Sequence, residues 1–188
     1  MMSPSHPKKQ GLYEPEFEHD ACGVGFVCNI DGERTNKIIH QGLEVLDKLK
    51  HRGASGADPE TGDGSGIMIQ IPHEFCRMEC EKNRISLPEP GAYATGIIFL
   101  PQDEAGAREC LKILDETIEA EGAKLLGYRN VPVNTGALGE TAKKSEPVIK
   151  QVFVASPLEK TSQEEFERLL YIIRRQAEKK VDALKIKQ

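Results

Sequence analysis

From Cys22 the chain sets Val24, Phe26, Cys28 and Ile30 against Gly23, Gly25, Val27 and Asn29. A period of two predicts a strand, and Asp31-Gly32 supplies the turn that ends it. Thr35 is placed to cap a helix reaching about His51. In it Ile38, Ile39, Leu43, Val45, Leu46 and Leu49 fall on adjacent strings with 3/4 spacing, a wide apolar face suited to lying flat on a sheet. A polar, glycine-dense stretch, HRGASGADPETGDGSG, runs from His51 to Gly66. The strand candidate IMIQI follows, closed by Pro72, and then a short helix over 73–84.

The second half reads as three strands and two long helices. Residues 92–100, AYATGIIFL, are apolar on both faces, which predicts a strand inside a covered sheet. A helix over 103–122 carries Ala107, Cys110, Leu111, Leu114 and Ile118 on one side and stops at Gly122. Strand candidates at 124–133 and 148–155 bracket a loop. A last helix over 162–183 opens with Ser162 followed three residues later by Glu165, a capping box, and buries Phe166, Leu169, Leu170 and Ile173. Strands mixed with amphipathic helices give α/β or α+β, with sheets covered by helices. Ahead of all this, Pro4, Pro7 and Pro15 forbid a regular helix, and Glu14, Glu16, Glu18 and Asp20 offer nothing to bury; residues 1–21 read as a polar leader.

Composition narrows the function classes. The net charge is −5, and the lysines gathered near the end (Lys179, Lys180, Lys185, Lys187) suit a solvated helix terminus, so neither nucleic acid nor a membrane surface is expected as a partner. No segment approaches the roughly 20 apolar residues of a membrane helix, and the leader lacks the apolar core of a secretory signal, so a cytoplasmic location is expected. The five cysteines have no paired knuckle spacing and read as free thiols. Cys76 and Cys80 lie four apart on the short helix, but with no second ligand pair they predict packing and no metal site.

Two glycine and serine features carry little chemistry. GDGSG at 62–66 precedes a strand candidate and lacks a G-K-[ST] ending, which suits a tight turn better than a phosphate cradle. No G-x-S-x-G elbow supports a serine nucleophile. His51 and Arg52 close the wide-faced helix, where a cation gains from the helix dipole, so capping and a site role are both open.

Cys22 is the remaining candidate. A cysteine at a strand start is ordinarily packing. As the first residue of a mature chain, however, it would carry its own base: an α-amine with a pKa of about 7.7–8.0 accepts a thiol proton near neutral pH. A polar leader is easy to cut away.

The segments GLYEPEFEHDACGVGFVCNIDG, HRGASGADPETGDGSGIMIQIPHEF, LGYRNVPVN and LGETAKKSEPVIKQVFV together resemble the N-terminal, glutamine-hydrolysing domain of glutamate synthase large subunits, a family of class II, N-terminal-nucleophile amidotransferases. The resemblance runs from about Gly11 to the last helix. It implies an α+β fold, the four-layer αββα sandwich of N-terminal-nucleophile hydrolases, with residues 1–21 a leader and 22–188 the first part of the domain. It implies Cys22 as the nucleophile, and Arg52 and Gly53 as residues that orient it or bind substrate. The implied substrate is L-glutamine. The implied partners are the synthase domains and an electron-donating subunit or ferredoxin, with FMN and an iron–sulfur cluster in those other regions and no cofactor in this chain.

One departure stands out. The family's oxyanion-hole Asn-Gly pair, and the Arg and Asp that grip the amino-acid end of glutamine, have no counterpart here; the chain has no Asn-Gly dipeptide, and Asn134-Thr135-Gly136 is a poor substitute. Losing one oxyanion donor costs about 100- to 1,000-fold in turnover, which leaves the activity of the isolated chain open. Two other readings remain: a non-catalytic module that keeps the fold, or the amidotransferase part of a purine or amino-sugar enzyme. The EPEFEHDACGVGF and ETGDGSGI segments favour glutamate synthase over the latter.

Overall fold

The computed structural model describes residues 23–53, 58, 60–156 and 162–184, and the chain divides into two units, Met1–Met68 and Ile69–Gln188. In the first unit, helix α1 spans Asn36–Lys48. Thr35 holds the extended N-cap conformation, although its side chain makes no capping bond. After Leu49 the helix tightens into a 3₁₀ turn over Lys50–Arg52. Arg52 donates its backbone N–H to Leu49 O at 2.8 Å, so the guanidinium is carried at the very end of the helical path.

Two expectations for this unit fail. Residues 23–30 form no strand, and Phe26 is 90% exposed; residues 67–71 form none either. Alternation chooses a face for a strand, but a strand also needs a neighbour for its N–H and C=O groups, and the described residues of this unit supply none. For the same reason α1 lies on no sheet within its unit, and none of its residues is buried. What meets its apolar face is the loop on either side. A Cβ at Gly25 would stand 2.7 Å from Val45 Cγ1, and one at Gly42 would stand 3.8 Å from Ile67 Cδ1.

The second unit is built on a three-stranded antiparallel sheet in the order β1-β3-β2. Its strands are β1 (Tyr93–Leu100), β2 (Lys124–Asn130) and β3 (Val148–Ala155). Register runs from Tyr93 opposite Ala155 to Leu100 opposite Val148, and from Lys124 opposite Ala155 to Asn130 opposite Lys150. The central strand is therefore β3. The expectation of a covered position for the 92–100 segment is corrected: β1 is an edge, with Ile97 51% and Phe99 67% exposed.

Helices α3 (Glu104–Ala120) and α5 (Gln163–Ala183) cover one face, where Ile118, Ala123, Val152, Val154 and Ile173 form a core. Asp103 caps α3 by accepting from the Gly106 N–H at 2.7 Å, and Gly122 takes the left-handed conformation (φ 79°) just beyond its end. The capping box at α5 forms as the sequence predicts, with the Ser162 N–H 2.9 Å from Glu165 Oε2 and the Glu165 N–H 3.3 Å from Ser162 Oγ. The buried stripe of α3 extends to Ile113 and Thr117, the latter tied by its hydroxyl to Ile113 O and by Lys180 Nζ of α5 at 2.9 Å. Between α3 and β3 the chain also makes a short helix α4 (Glu140–Lys143) after the Thr135–Ala137 turn.

Helix α2 (His73–Lys82) lies on the opposite face, joining Cys76, Cys80, Ile85, Tyr93 and the fully buried Phe153 in a second core. A bulge decides which β2 side chains reach which face. Leu125 pairs with Val154 and Gly127 with Phe153, so Leu126 is an extra residue. One extra residue inverts the alternation downstream. Tyr128 consequently joins the α3/α5 core, and Arg129 turns toward α2.

Candidate active site

The segment that follows Cys22 runs beside the end of α1. A Cβ on Gly23 would stand 3.1 Å from Leu49 Cδ2 and 3.4 Å from Arg52 Cβ. Gly23 and Arg52 are thus neighbours, although 29 positions separate their numbers. Cys22 itself, with the whole leader, lies outside the described residues, as do Ala54–Ala57 and Pro59 of the loop after Gly53. Arg52 is exposed, and no ion pair or side-chain hydrogen bond engages it among the described residues. Gly53 leaves the helical path in an extended conformation (φ −82°, ψ 150°), its N–H still bonded to Lys50 O at 3.1 Å. His51 turns back on its own helix, Nδ1 lying 2.9 Å from Lys48 O, which is the capping role open to it in the sequence.

The described cysteines differ in character. Cys28 is exposed. Burial pushes the Cys76, Cys80 and Cys110 thiols above their ordinary pKa, and for Cys76 the nearby Arg129 cation only partly opposes this. A thiol held protonated in an apolar site is a poor nucleophile, and the buried Cys76 and Cys80 serve as packing in the α2 core. The GDGSG loop brings no strand after it, and Gly64 and Gly66 face open space. Asn134-Thr135-Gly136 forms a 3₁₀ turn fastened by Thr135 Oγ1 to Glu146 Oε1 at 3.1 Å.

The second unit holds polar groups that sequence reading missed. Arg129 donates from Nε to Glu79 Oε2 (3.1 Å) and from Nη1 to Gln151 Oε1 (2.7 Å), and its guanidinium carbon is 5.3 Å from the Phe75 ring centroid. Gln151 Nε2 in turn donates to Thr95 Oγ1 at 2.9 Å, and Thr95 to Val152 O at 2.9 Å. The Glu79 carboxyl is held below its usual range, first by Lys82 and then by Arg129, against the opposing effect of desolvation. On the same side His73 Nδ1 lies 3.1 Å from the Tyr93 hydroxyl, whose pKa burial pushes up to about 12. On the other face Tyr128 donates to Asp115 at 2.5 Å, and burial with that bond raises its pKa. These bonds tie α2, β1, β2 and β3 together on one side and β2 to α3 on the other, as a fastening of the sheet requires. Among the described residues no three His, Cys, Asp or Glu side chains are grouped to hold a metal, and no helix is long and apolar enough to cross a membrane.

Residues 22–188 match the family model for class-II glutamine amidotransferases. The chain belongs to that family. Its mixed helices and antiparallel sheet agree with the α+β class expected. Among its relatives is the large chain of an NADPH glutamate synthase from Bacillus subtilis (strain 168), 48% identical over 172 residues that make up 92% of this chain and 11% of that protein. An NADH glutamate synthase of Saccharomyces cerevisiae is 40% identical over 91% of this chain and 8% of its own length. The ferredoxin-dependent glutamate synthase 1 (chloroplastic/mitochondrial) of Arabidopsis thaliana is 37% identical over 96% of this chain and 11% of its own. This amidotransferase chain therefore spans about a tenth of the length of these relatives.

Proposed function

We propose that the chain is the first part of the glutamine-hydrolysing domain of a glutamate synthase, in which Cys22 becomes the nucleophile when residues 1–21 are removed. One observation carries the reading: a Cβ built on Gly23, the residue bonded to Cys22, would stand 3.4 Å from Arg52 Cβ at the end of α1. The family match beginning at residue 22 supports the same starting point.

In this reading the Cys22 thiol gives its proton to its own α-amine, directly or through water, and sulfur attacks the side-chain amide carbon of L-glutamine. The tetrahedral oxyanion collapses, the C–N bond breaks, and ammonia leaves with the proton returned by the ammonium group. Water then cleaves the thioester to glutamate and restores the thiol. Arg52 orients the nucleophile, and Gly53 turns the chain away so that the substrate can approach.

The finer fold in this reading is the four-layer αββα sandwich: α3 and α5 cover one face of the observed sheet, and a second sheet would cover Ile97 and Phe99 on the other. Ammonia would pass to synthase regions that use FMN, an iron–sulfur cluster and an electron-donating subunit or ferredoxin, in the cytoplasm. Glutamine hydrolysis in this reading is assigned to the thiol and amine of Cys22. Incubation with glutamine followed by acid quenching tests the proposal: a glutamyl thioester on the Cys22 peptide is expected. Ammonia release with no adduct there, or no ammonia from complete processed protein, would refute it.

A further inference from the structure

We propose that the open half of the sheet face beside α2 seats a polypeptide segment of the complete protein that brings a carboxylate to Arg129 and apolar side chains to Ile97 and Phe99. The inference rests on the reading of this chain as part of a longer domain, and adds what the covering segment must carry.

Helix α2 covers that face at one end only. Tyr93 and Phe153 are buried there with Cys76 and Cys80, whereas along β1 the same face passes through the half-buried Thr95 to the exposed Ile97 and Phe99. Strand pairing sets Ile97, Gln151 and Arg129 in one row across β1, β3 and β2, where the covered end gives way to the open one. Two strand spacings of about 4.8 Å separate the ends of that row, so one extended segment can touch both Ile97 and Arg129. Phe75, 45% exposed and set against the Arg129 guanidinium, continues the apolar surface from the α2 side.

Arg129 defines the chemistry of the covering segment. Its side chain is only 10% exposed, and of the five N–H groups of a guanidinium one donates to Glu79 and one to Gln151. The other three have no hydrogen-bond partner among the described residues. Charge is unbalanced in the same sense, because Arg129 and Lys82 both pair with Glu79, two cations on a single carboxylate. Arg77 does not alter this: it pairs with Glu74 and Glu81 on the exposed side of α2. A purely apolar cover would strip water from those N–H groups and leave them unbonded. A carboxylate supplies both the lone pairs and the opposite charge.

The test places photoreactive p-benzoyl-phenylalanine at Ile97, and in a second preparation at Phe99, in the complete protein; after irradiation, peptide mass spectrometry identifies the crosslinked partner. The expected partner is a segment of the same polypeptide outside residues 1–188, with Asp or Glu within about three residues of the crosslink, the reach of extended chain across the row. Neutralising that acid as its amide and Arg129→Met should then together lower the melting temperature by less than the sum of their separate effects. Crosslinks that join two chains, that stay within residues 1–188 or that reach a segment without an acid overturn the proposal. Strict additivity of the two substitutions, or no crosslink from either position, overturns it as well. Ammonia release by the unmodified protein reports separately on the Cys22 reading: failure of release with the crosslink formed removes that reading and leaves this proposal standing, and release without a crosslink does the reverse.

Discussion

Arg129 Nε stands 3.1 Å from Glu79 Oε2, joining β2 to α2 across one face of the sheet with the arginine side chain only 10% exposed. Removing the guanidinium strands Gln151 Oε1 and withdraws one of two cations from Glu79. Arg129→Ala should therefore destabilise the fold by roughly 2–4 kcal/mol. In thermal melts this reads as a fall of about 5–10 °C. Arg129→Met should cost less, because the methionine retains packing on Phe75 and Lys82 still serves Glu79. Equal melting points for wild type and Arg129→Ala would mean that the network holds nothing in place.

The bulge at Gly127 is the second structural commitment of β2. Its φ of 150° disfavours any side chain, and a Cβ would approach Ile85 Cδ1 and Cγ1 to 2.9 Å. Gly127→Ala is expected to lose about 1–3 kcal/mol, measured by denaturant titration. Combining it with Ile85→Val should not rescue it fully, since the backbone strain remains.

Acid sensitivity has an assignable part at the start of α5. The Glu165 carboxyl is held below its ordinary pKa, first by the Ser162 N–H and then by the Ser162 hydroxyl. A depressed carboxylate contributes stability that is present above its unfolded value and lost as pH falls through the folded one. The stability difference between wild type and Glu165→Gln should thus be largest near neutral pH and shrink as pH falls below about 4.5. Ser162→Ala should cost about 1 kcal/mol at pH 7 through loss of the cap. A Glu165→Gln difference that is constant from neutral to acid pH would contradict the assignment.

Local signals were legible in the sequence. The Ser162 to Glu165 box, the Asp103 start and Gly122 stop of α3, and the three strands of the sheet each depend on residues a few positions apart, where propensity and capping act directly. The failures are non-local. The alternation at 23–30 is real, but no neighbouring ladder is available to it among the described residues. The apolar run of β1 suggested a central strand, yet only pairing could reveal that β3 takes the centre. Arg129 went unremarked because its partners are 50 and 22 positions away, and the bulge that aims it shows in the sequence only as one glycine. The neighbourhood of Gly23 and Arg52 was not legible, since nothing in the spacing between them encodes contact.

Arg52 offers the cleanest functional substitution. It is exposed and pairs with no described carboxylate, so Arg52→Ala should leave the melting temperature within about 2 °C, a typical surface effect. Glutaminase activity of the complete protein should nevertheless fall by about 100-fold, mainly in kcat, if the guanidinium orients the nucleophile. An unchanged rate would reduce Arg52 to a helix terminus.

The most direct test is the intact mass of catalytically active protein, read together with its first residue by sequencing. A chain that starts at Cys22 with an unblocked amine is the predicted result, because thiol and proton acceptor then belong to one residue. Active protein that retains residues 1–21, or begins anywhere else, would contradict the account.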